Sequence, residues 1–108
     1  MNYPVTDKDG NQWWSQHGKL HRVDEPVVKS TNGHKTWYLN GKLHREDGPA
    51  IEYADGTKMW SRYGKIHRED GPAVEDKNGY KRWFLRDKQY TKEEFILLQF
   101  SKGIIIND

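Results

Sequence analysis

Short segments in which polar and apolar residues alternate recur along the chain, and residues 35–41 and 58–64 are the clearest examples. Their β-branched and aromatic members are typical of strands that bury one face. Each segment follows an Asp-Gly or Asn-Gly pair, which indicates a hairpin with a type I′ turn because both central residues of that turn need positive φ. The pairs are Asp9-Gly10, Asn32-Gly33, Asp55-Gly56 and Asn78-Gly79. The pattern therefore predicts four hairpins in succession.

A period of 23 residues organises these hairpins. Eight residue positions recur at this interval, and they include a tryptophan, the glycines of two turns and a cluster of polar residues. The recurring residues of the expected repeat core are Trp14, Trp37, Trp60 and Trp83, His21, His44 and His67, and Asp24, Asp47 and Asp70. A fixed period of this kind is typical of repeat proteins in which neighbouring units stack.

The most economical fold for such a chain is mainly β: an antiparallel meander of about four 23-residue hairpin repeats, followed by a short capping helix. We expect one row of tryptophans to form the core. The units are predicted at about 5–27, 28–50, 51–73 and 74–90, within a single domain that spans 1–108. The end units differ from the inner ones, as the caps of an array must. The fourth unit, for example, has Asp87 in place of the expected glycine and Tyr90 in place of the expected histidine.

A C-terminal helix is predicted over about 91–102. Thr91-Lys92-Glu93-Glu94 has the form of a capping box, and Gly103 is placed to end the helix. We expect the apolar residues of this segment to cover the open face or the last edge of the sheet, and they are Phe95, Ile96, Leu97, Leu98 and Phe100. The tail, 103–108, contains three consecutive isoleucines and forms either a terminal strand or an exposed patch that seeks a partner. We favour packing within the chain, because an unprotected run of isoleucines promotes aggregation.

Composition narrows the possible functions. With 108 residues, of which 33% are hydrophobic, the chain has little material for both a core and a deep cleft, so an enzyme is not expected. The absence of cysteine excludes disulfides and thiolate metal sites, and no apolar run approaches the ~18 residues of a membrane span. The first four residues lack the features of a signal peptide, which predicts a cytoplasmic location.

Two copies of His-Arg-Glu-Asp-Gly-Pro-Ala, at 44–50 and 67–73, each follow Trp-x-x-x-Gly-Lys-x. This motif resembles a repeat of small bacteriophage and bacterial proteins, and it is similar to a divergent MORN repeat over residues 5–90. It departs from MORN after the histidine, where Arg-x-Asp-Gly-Pro replaces Gly-x-Gly. The resemblance implies a hairpin unit and a phage-type accessory protein that binds and inhibits a host or defence protein in the host cytoplasm.

The repeated histidines and aspartates raise the question of a metal or catalytic site. A zinc ion needs three or four ligands at ~2.0–2.2 Å. Equivalent positions of a meander lie two strand spacings apart, roughly 9–10 Å, so the histidines cannot share an ion. Catalysis needs one site once, whereas this group occurs three times. We therefore expect no catalytic residue, metal or cofactor, and we assign His44 and Asp47 to a hydrogen bond that closes a turn.

Arg22, Arg45 and Arg68 have two interpretations. Each guanidinium could lie across an aromatic ring or pair with a neighbouring aspartate, which would be a structural role. Together with the lysines at 19, 42, 65 and 88, the arginines could instead form a basic stripe for phosphates. The stripe's step of ~10 Å does not match the ~3.4 Å rise per nucleotide of one strand, so nucleic acid is not the expected partner.

Trp13 is adjacent to a periodic tryptophan and points to the opposite face of its strand. That face is expected to carry Trp13, Tyr38, Met59, Tyr63 and Phe84. The helix either covers it or leaves it free to bind a protein, for which aromatic side chains are well suited. We predict a non-enzymatic protein-binding module in which the aromatic residues anchor a host protein and Arg22, Arg45 and Arg68 orient it. The alternative is a homo-oligomer that traps a nucleotide or another anionic small molecule.

Overall fold

The structure is a computed structural model that describes residues 4–22 and 25–106. In these residues fifteen short strands precede one helix. The strands are β1 Val5–Thr6, β2 Gln12–Trp13, β3 Ser15–Gln16, β4 Lys19–Leu20, β5 Val28–Lys29, β6 Lys35–Thr36, β7 Tyr38–Leu39, β8 Lys42–Leu43, β9 Ile51–Glu52, β10 Lys58–Met59, β11 Ser61–Arg62, β12 Lys65–Ile66, β13 Val74–Glu75, β14 Lys81–Leu85 and β15 Lys88–Tyr90, and the helix α1 is Lys92–Ser101. Asp24, which the period assigns to the repeat core, lies outside the described residues.

Nine strands form the main sheet, an antiparallel meander in chain order. Its order is β1, β2, β5, β6, β9, β10, β13, β14 and β15. Successive units keep the same register, since Lys35 pairs with Glu52 and, 23 residues later, Lys58 pairs with Glu75. The predicted mainly β meander with a C-terminal helix is confirmed, and it is a thin molecule of 47 × 30 × 19 Å.

Each unit contains a second hairpin, and we call these four the side hairpins. In the first three units this hairpin lies outside the main sheet, and in the fourth it is formed by the last two strands of the main sheet. The side hairpins pair β3 with β4, β7 with β8, β11 with β12, and β14 with β15. In the second unit, Trp37 separates the main-sheet strand from the side-hairpin strand. Its amide donates to the Ala50 carbonyl at 2.8 Å, and its carbonyl accepts from the His44 amide at 3.0 Å. The hydrogen-bond ladder therefore passes from the main sheet to the side hairpin at each periodic tryptophan.

The turn type at the Asp-Gly and Asn-Gly pairs differs from the predicted one. At the Asp-Gly and Asn-Gly pairs only the glycine has positive φ, 96° at Gly56 for example. The Tyr53 amide donates to the Thr57 carbonyl at 2.9 Å, which leaves a three-residue loop, and a loop of that length favours a type I turn with a glycine bulge. The predicted type I′ turn is thus wrong at these four positions. It occurs instead at the side hairpins, where both central residues have positive φ, as in Asn40 (50°) and Gly41 (82°).

The core is narrow. Trp14 and Trp37 are each 7% exposed, and they lie beside a position at which Val27, Ala50 and Ala73 are fully buried in successive units. Trp60 and Trp83 are only partly buried. The periodic tryptophans therefore occupy equivalent junctions, but burial along the row is uneven.

Helix α1 begins and ends close to the predicted residues. The Thr91 hydroxyl accepts from the Glu94 amide at 3.1 Å, and the Glu94 carboxylate accepts from the Thr91 amide at 2.9 Å, so the capping box forms. Gly103, with φ of 75°, follows the last turn, and the Ile104 amide donates to the Gln99 carbonyl at 3.0 Å.

The face that α1 buries differs from the predicted one. Phe95 and Gln99 are fully buried, and the Gln99 side-chain amide donates to the Glu69 carbonyl at 2.8 Å. The exposed members of the predicted apolar set are Leu97, Leu98 and Phe100. The expectation that the whole set covers the sheet is wrong, because the stripe formed by positions four residues apart suffices to dock the helix. The tail forms no strand within the described residues, and Ile105 is 84% exposed.

Candidate binding surfaces

The repeat arginines lie over the repeat tryptophans. The Cζ atoms of Arg22, Arg45 and Arg68 are 3.8, 3.8 and 4.1 Å from ring centroids of Trp14, Trp37 and Trp60, respectively. The same arginines donate to the carbonyls of Pro26, Pro49 and Pro72 at 3.2, 3.1 and 3.0 Å. Between 18% and 23% of each arginine side chain is exposed. Ring and carbonyl thus hold each guanidinium inside its own unit, and about a fifth of each arginine side chain remains exposed.

Carboxylates complete the surroundings of these arginines. Arg45 donates to Glu52 at 2.8 Å and to Asp47 at 3.2 Å, and Arg68 donates to Asp70 at 3.0 Å. Asp47 accepts a hydrogen bond from Arg45 and not from His44. The hydrogen bond that we predicted between Asp47 and His44 therefore does not form.

The repeat histidines connect each unit to the next. Nδ1 of His21, His44 and His67 accepts from the amides of Asn40, Tyr63 and Arg86 at 3.1, 2.9 and 3.0 Å. An accepting Nδ1 leaves the ring proton on Nε2. That atom lies 2.9 Å from Glu46 in His44 and 3.2 Å from Glu69 in His67. Within 4–22 and 25–106, no group of three or more histidine, aspartate and glutamate side chains is arranged to hold a metal ion.

Some residues that form these contacts were not predicted from the sequence. Glu46 and Glu69 recur at the 23-residue interval, so the period contained the signal for the glutamates that pair with histidine. His34 accepts from the Ala54 amide at 3.0 Å through Nδ1, yet it belongs to no periodic series. Gln99 also gave no signal, because a glutamine beside apolar helix residues usually faces solvent.

The residues of the predicted aromatic face, which include one methionine, lie in different parts of the fold. Trp13 and Met59 belong to main-sheet strands, Tyr38 belongs to a side-hairpin strand, and Phe84 lies in β14, which belongs to both. All four are partly buried. Tyr63 lies in a side-hairpin turn and is 61% exposed, with its ring centroid 4.2 Å from that of His44. Of these five, Tyr63 therefore offers the largest free ring.

Two further surfaces are available for binding. The first, which we call the helix patch, consists of Leu97 and Phe100, which are 71% and 78% exposed and three residues apart on α1. The second, which we call the basic cavity, has a volume of about 450 Å³ beside the third side hairpin. Its lining residues are Lys42, Arg62, Tyr63, Lys65, His67, Glu69 and Arg86.

The fold and these surfaces define the chain as a β-hairpin repeat protein with a helical end. No family model, no curated protein and no solved structure matches it. Among the described residues there is no helix with the length and apolarity needed to cross a bilayer.

Proposed function

We propose that this protein is a non-enzymatic module that binds a partner protein through the helix patch. The observation that carries the proposal is the two-sided character of α1. Phe95 and Gln99 anchor one side by full burial, while Leu97 and Phe100 lie open on the other. A contiguous exposed apolar surface on a docked helix is typical of protein interaction sites, because burying it against a partner removes apolar area from water.

The arrangement of polar side chains supports binding over catalysis. Among the described residues, the repeat histidines and arginines, together with Asp47 and Asp70, each have a partner in the backbone or in a neighbouring side chain, and the same contacts recur from unit to unit. A catalytic group would need one set of these residues with a different environment from the others. The proposal therefore assigns the repeat residues to the scaffold.

The nature of the partner follows from the resemblance to phage repeat proteins. On that basis the partner is a host protein, such as a component of a defence system. Binding takes place in the host cytoplasm and inhibits that protein. Tyr63 and the exposed fractions of Arg22, Arg45 and Arg68 are available as additional contacts that orient the partner. The anchors expected at Trp13, Tyr38 and Phe84 have less free surface, so the helix patch is the main contact in this proposal.

A pull-down with mass spectrometry, followed by titration of the purified partner, tests the proposal. The double variant Leu97→Ser/Phe100→Ser should raise the Kd by about tenfold or more, because both side chains act as apolar anchors. Its thermal midpoint should equal that of the wild type, since neither side chain packs in the core. The matched control is Tyr80→Ser, because Tyr80 is 72% exposed but lies in a main-sheet loop.

The result can contradict the proposal in two ways. Unchanged affinity in the double variant would show that the helix patch is not the contact. Failure to enrich any polypeptide over the double variant, at both low and physiological salt, would reject protein binding by this surface.

A further inference from the structure

The basic cavity concentrates unpaired positive charge. Lys42, Lys65 and Arg86 line it, and none of them forms an ion pair within 4–22 and 25–106. These three charges exceed the net charge of the whole chain, which is +2, so the rest of the protein is close to neutral. The single carboxylate that lines the basic cavity belongs to Glu69 and lies 3.2 Å from the His67 Nε2. The field in this cavity therefore favours an anion.

The backbone supplies a second, independent observation. The first central position of the four side-hairpin turns is occupied by His17, Asn40, Tyr63 and Arg86, with φ values of 52°, 50°, 50° and 48°. Asparagine adopts this left-handed region with least strain, whereas tyrosine and arginine do so at a cost. Asn40 shows that the array accepts the less strained residue at this position. The fold thus does not require Tyr63 or Arg86, and both of them line the same cavity.

The shape of the cavity fits a small molecule with a planar group. A volume of about 450 Å³ lies within the roughly 300–1,000 Å³ that is usual for small-molecule sites. The Tyr63 ring is mostly exposed and is held against His44, which makes it a platform for stacking. The neighbouring cavity of about 410 Å³ is lined by two arginines, Arg62 and Arg68, and by four carboxylates, from Glu46, Asp47, Glu69 and Asp70. The excess of carboxylates makes that cavity less favourable for an anion than the basic cavity.

We propose that the basic cavity binds a phosphorylated ligand that carries a planar ring, of which a nucleoside diphosphate is the simplest example. The phosphates bind among Lys42, Lys65 and Arg86, and the ring stacks on Tyr63. The site uses no residue of the helix patch and shares only Tyr63 with the additional partner contacts of the proposed function.

Isothermal titration with ADP, pyrophosphate and adenosine at low salt tests this site. Adenosine should bind about tenfold or more weakly than ADP, because it lacks the charged group, and added NaCl should weaken ADP binding. Tyr63→Asn and Arg86→Asn copy the residue of the second unit and preserve the turn. Each should weaken ADP binding by about tenfold, the first through lost stacking and the second through a lost charge. Tyr63→Asn should leave pyrophosphate binding unchanged, whereas Arg86→Asn should weaken it.

His17→Asn is the matched control, because it makes the same substitution at the equivalent turn away from the cavity. The proposal is overturned if ADP does not bind the wild type at a concentration of about 1 mM, the weak limit for a specific site. It is also overturned if the two cavity variants bind ADP as well as the wild type does, or if His17→Asn loses binding equally. Retention of ADP binding by Leu97→Ser/Phe100→Ser would confirm that the cavity functions independently of the helix patch, and loss of it would contradict that independence.

Discussion

Arg45 contacts an aromatic ring, a carbonyl and two carboxylates at once. Its Cζ lies 3.8 Å from the Trp37 ring centroid, and its Nη1 donates to the Pro49 carbonyl at 3.1 Å and to Glu52 at 2.8 Å. In a molecule only 19 Å thick there is little interior. Planar side chains that satisfy several groups therefore contribute stability that a larger domain would obtain from its hydrophobic core.

Arg45→Lys should destabilise the protein by about 1–3 kcal/mol, because lysine keeps the charge but loses the planar fork and most of the ring contact. Urea unfolding followed by tryptophan fluorescence measures the change. Arg86→Lys is the control, and it should change the free energy of unfolding by less than about 0.5 kcal/mol, since Arg86 is exposed and its side chain forms no ion pair with the described residues. Equal losses in the two variants would contradict a special role for Arg45.

Protonation of three carboxylates makes the stability of the fold depend on pH. Hydrogen bonds hold the pKa values of Asp7, Asp55 and Glu94 below their ordinary values, and the main donors are the Asn11 side chain, the Thr57 amide and the Thr91 amide, respectively. A carboxyl group with a lowered pKa in the folded state stabilises the fold above its unfolded pKa of about 4, and that contribution is lost as the pH falls through the folded pKa. The urea midpoint should therefore fall between pH 6 and pH 3. The fall should be smaller in an Asp7→Asn/Asp55→Asn/Glu94→Gln variant, and an equal fall would show that these groups do not contribute.

The side hairpins are joined to one another through the amides of their turns. Between the second and third units, the Gly64 amide donates to the Leu43 carbonyl at 2.8 Å and the Tyr63 amide donates to the His44 Nδ1 at 2.9 Å. The Ser61 hydroxyl also donates to the Leu43 carbonyl at 3.0 Å. A histidine side chain thus takes the place of a backbone acceptor in this stack.

His44→Ala should cost about 1–3 kcal/mol and should speed hydrogen exchange at the Tyr63 amide, which loses its acceptor. Native-state exchange followed by NMR measures both effects. The Asn40 amide is the internal reference, since His21 holds it independently and its protection should not change locally. Unaltered protection at Tyr63 would show that the imidazole does not connect the units.

The elements differ in how far local sequence determines them. The hairpin order and the start of α1 were predictable, because each has its own signal in adjacent residues, such as the capping box that begins at Thr91. The turn types were not, because they depend on which residues across the loop pair, and the Asp-Gly pairs alone do not reveal this. The buried face of α1 was not predictable either, since it is set by a hydrogen bond from Gln99 to Glu69, 30 residues earlier.

At the scale of the whole molecule, the candidate sites combine residues from several units. The basic cavity takes Lys42, Tyr63 and Arg86 from the second, third and fourth side hairpins. The arginines that repeat, which the sequence predicts as contacts for a partner, lie over tryptophans. The informative positions for the cavity were those that break the repeat, and their proximity becomes visible only when the units are stacked.

Insertion of a second copy of residues 51–73 after residue 73 should lengthen the molecule without disturbing its ends. One unit adds two strands, so the long axis of 47 Å should grow by about 10 Å. The urea midpoint should rise, because an extra interface between neighbours is added. Small-angle X-ray scattering and urea unfolding measure these changes. The same 23 residues in scrambled order are the control and should lower the midpoint, and a similar result for both insertions would contradict additive stacking.

The stack of side hairpins has a direction. The turns of the second, third and fourth units donate their amides to the preceding unit. The amides of His17 and Gly18 in the first turn have no such acceptor among the described residues. At the opposite end, Tyr90 replaces the histidine that would accept a fifth turn, and α1 follows at once. New units could therefore be added ahead of Val5, where donors are free, whereas addition after Tyr90 would require both a new imidazole and removal of the helix.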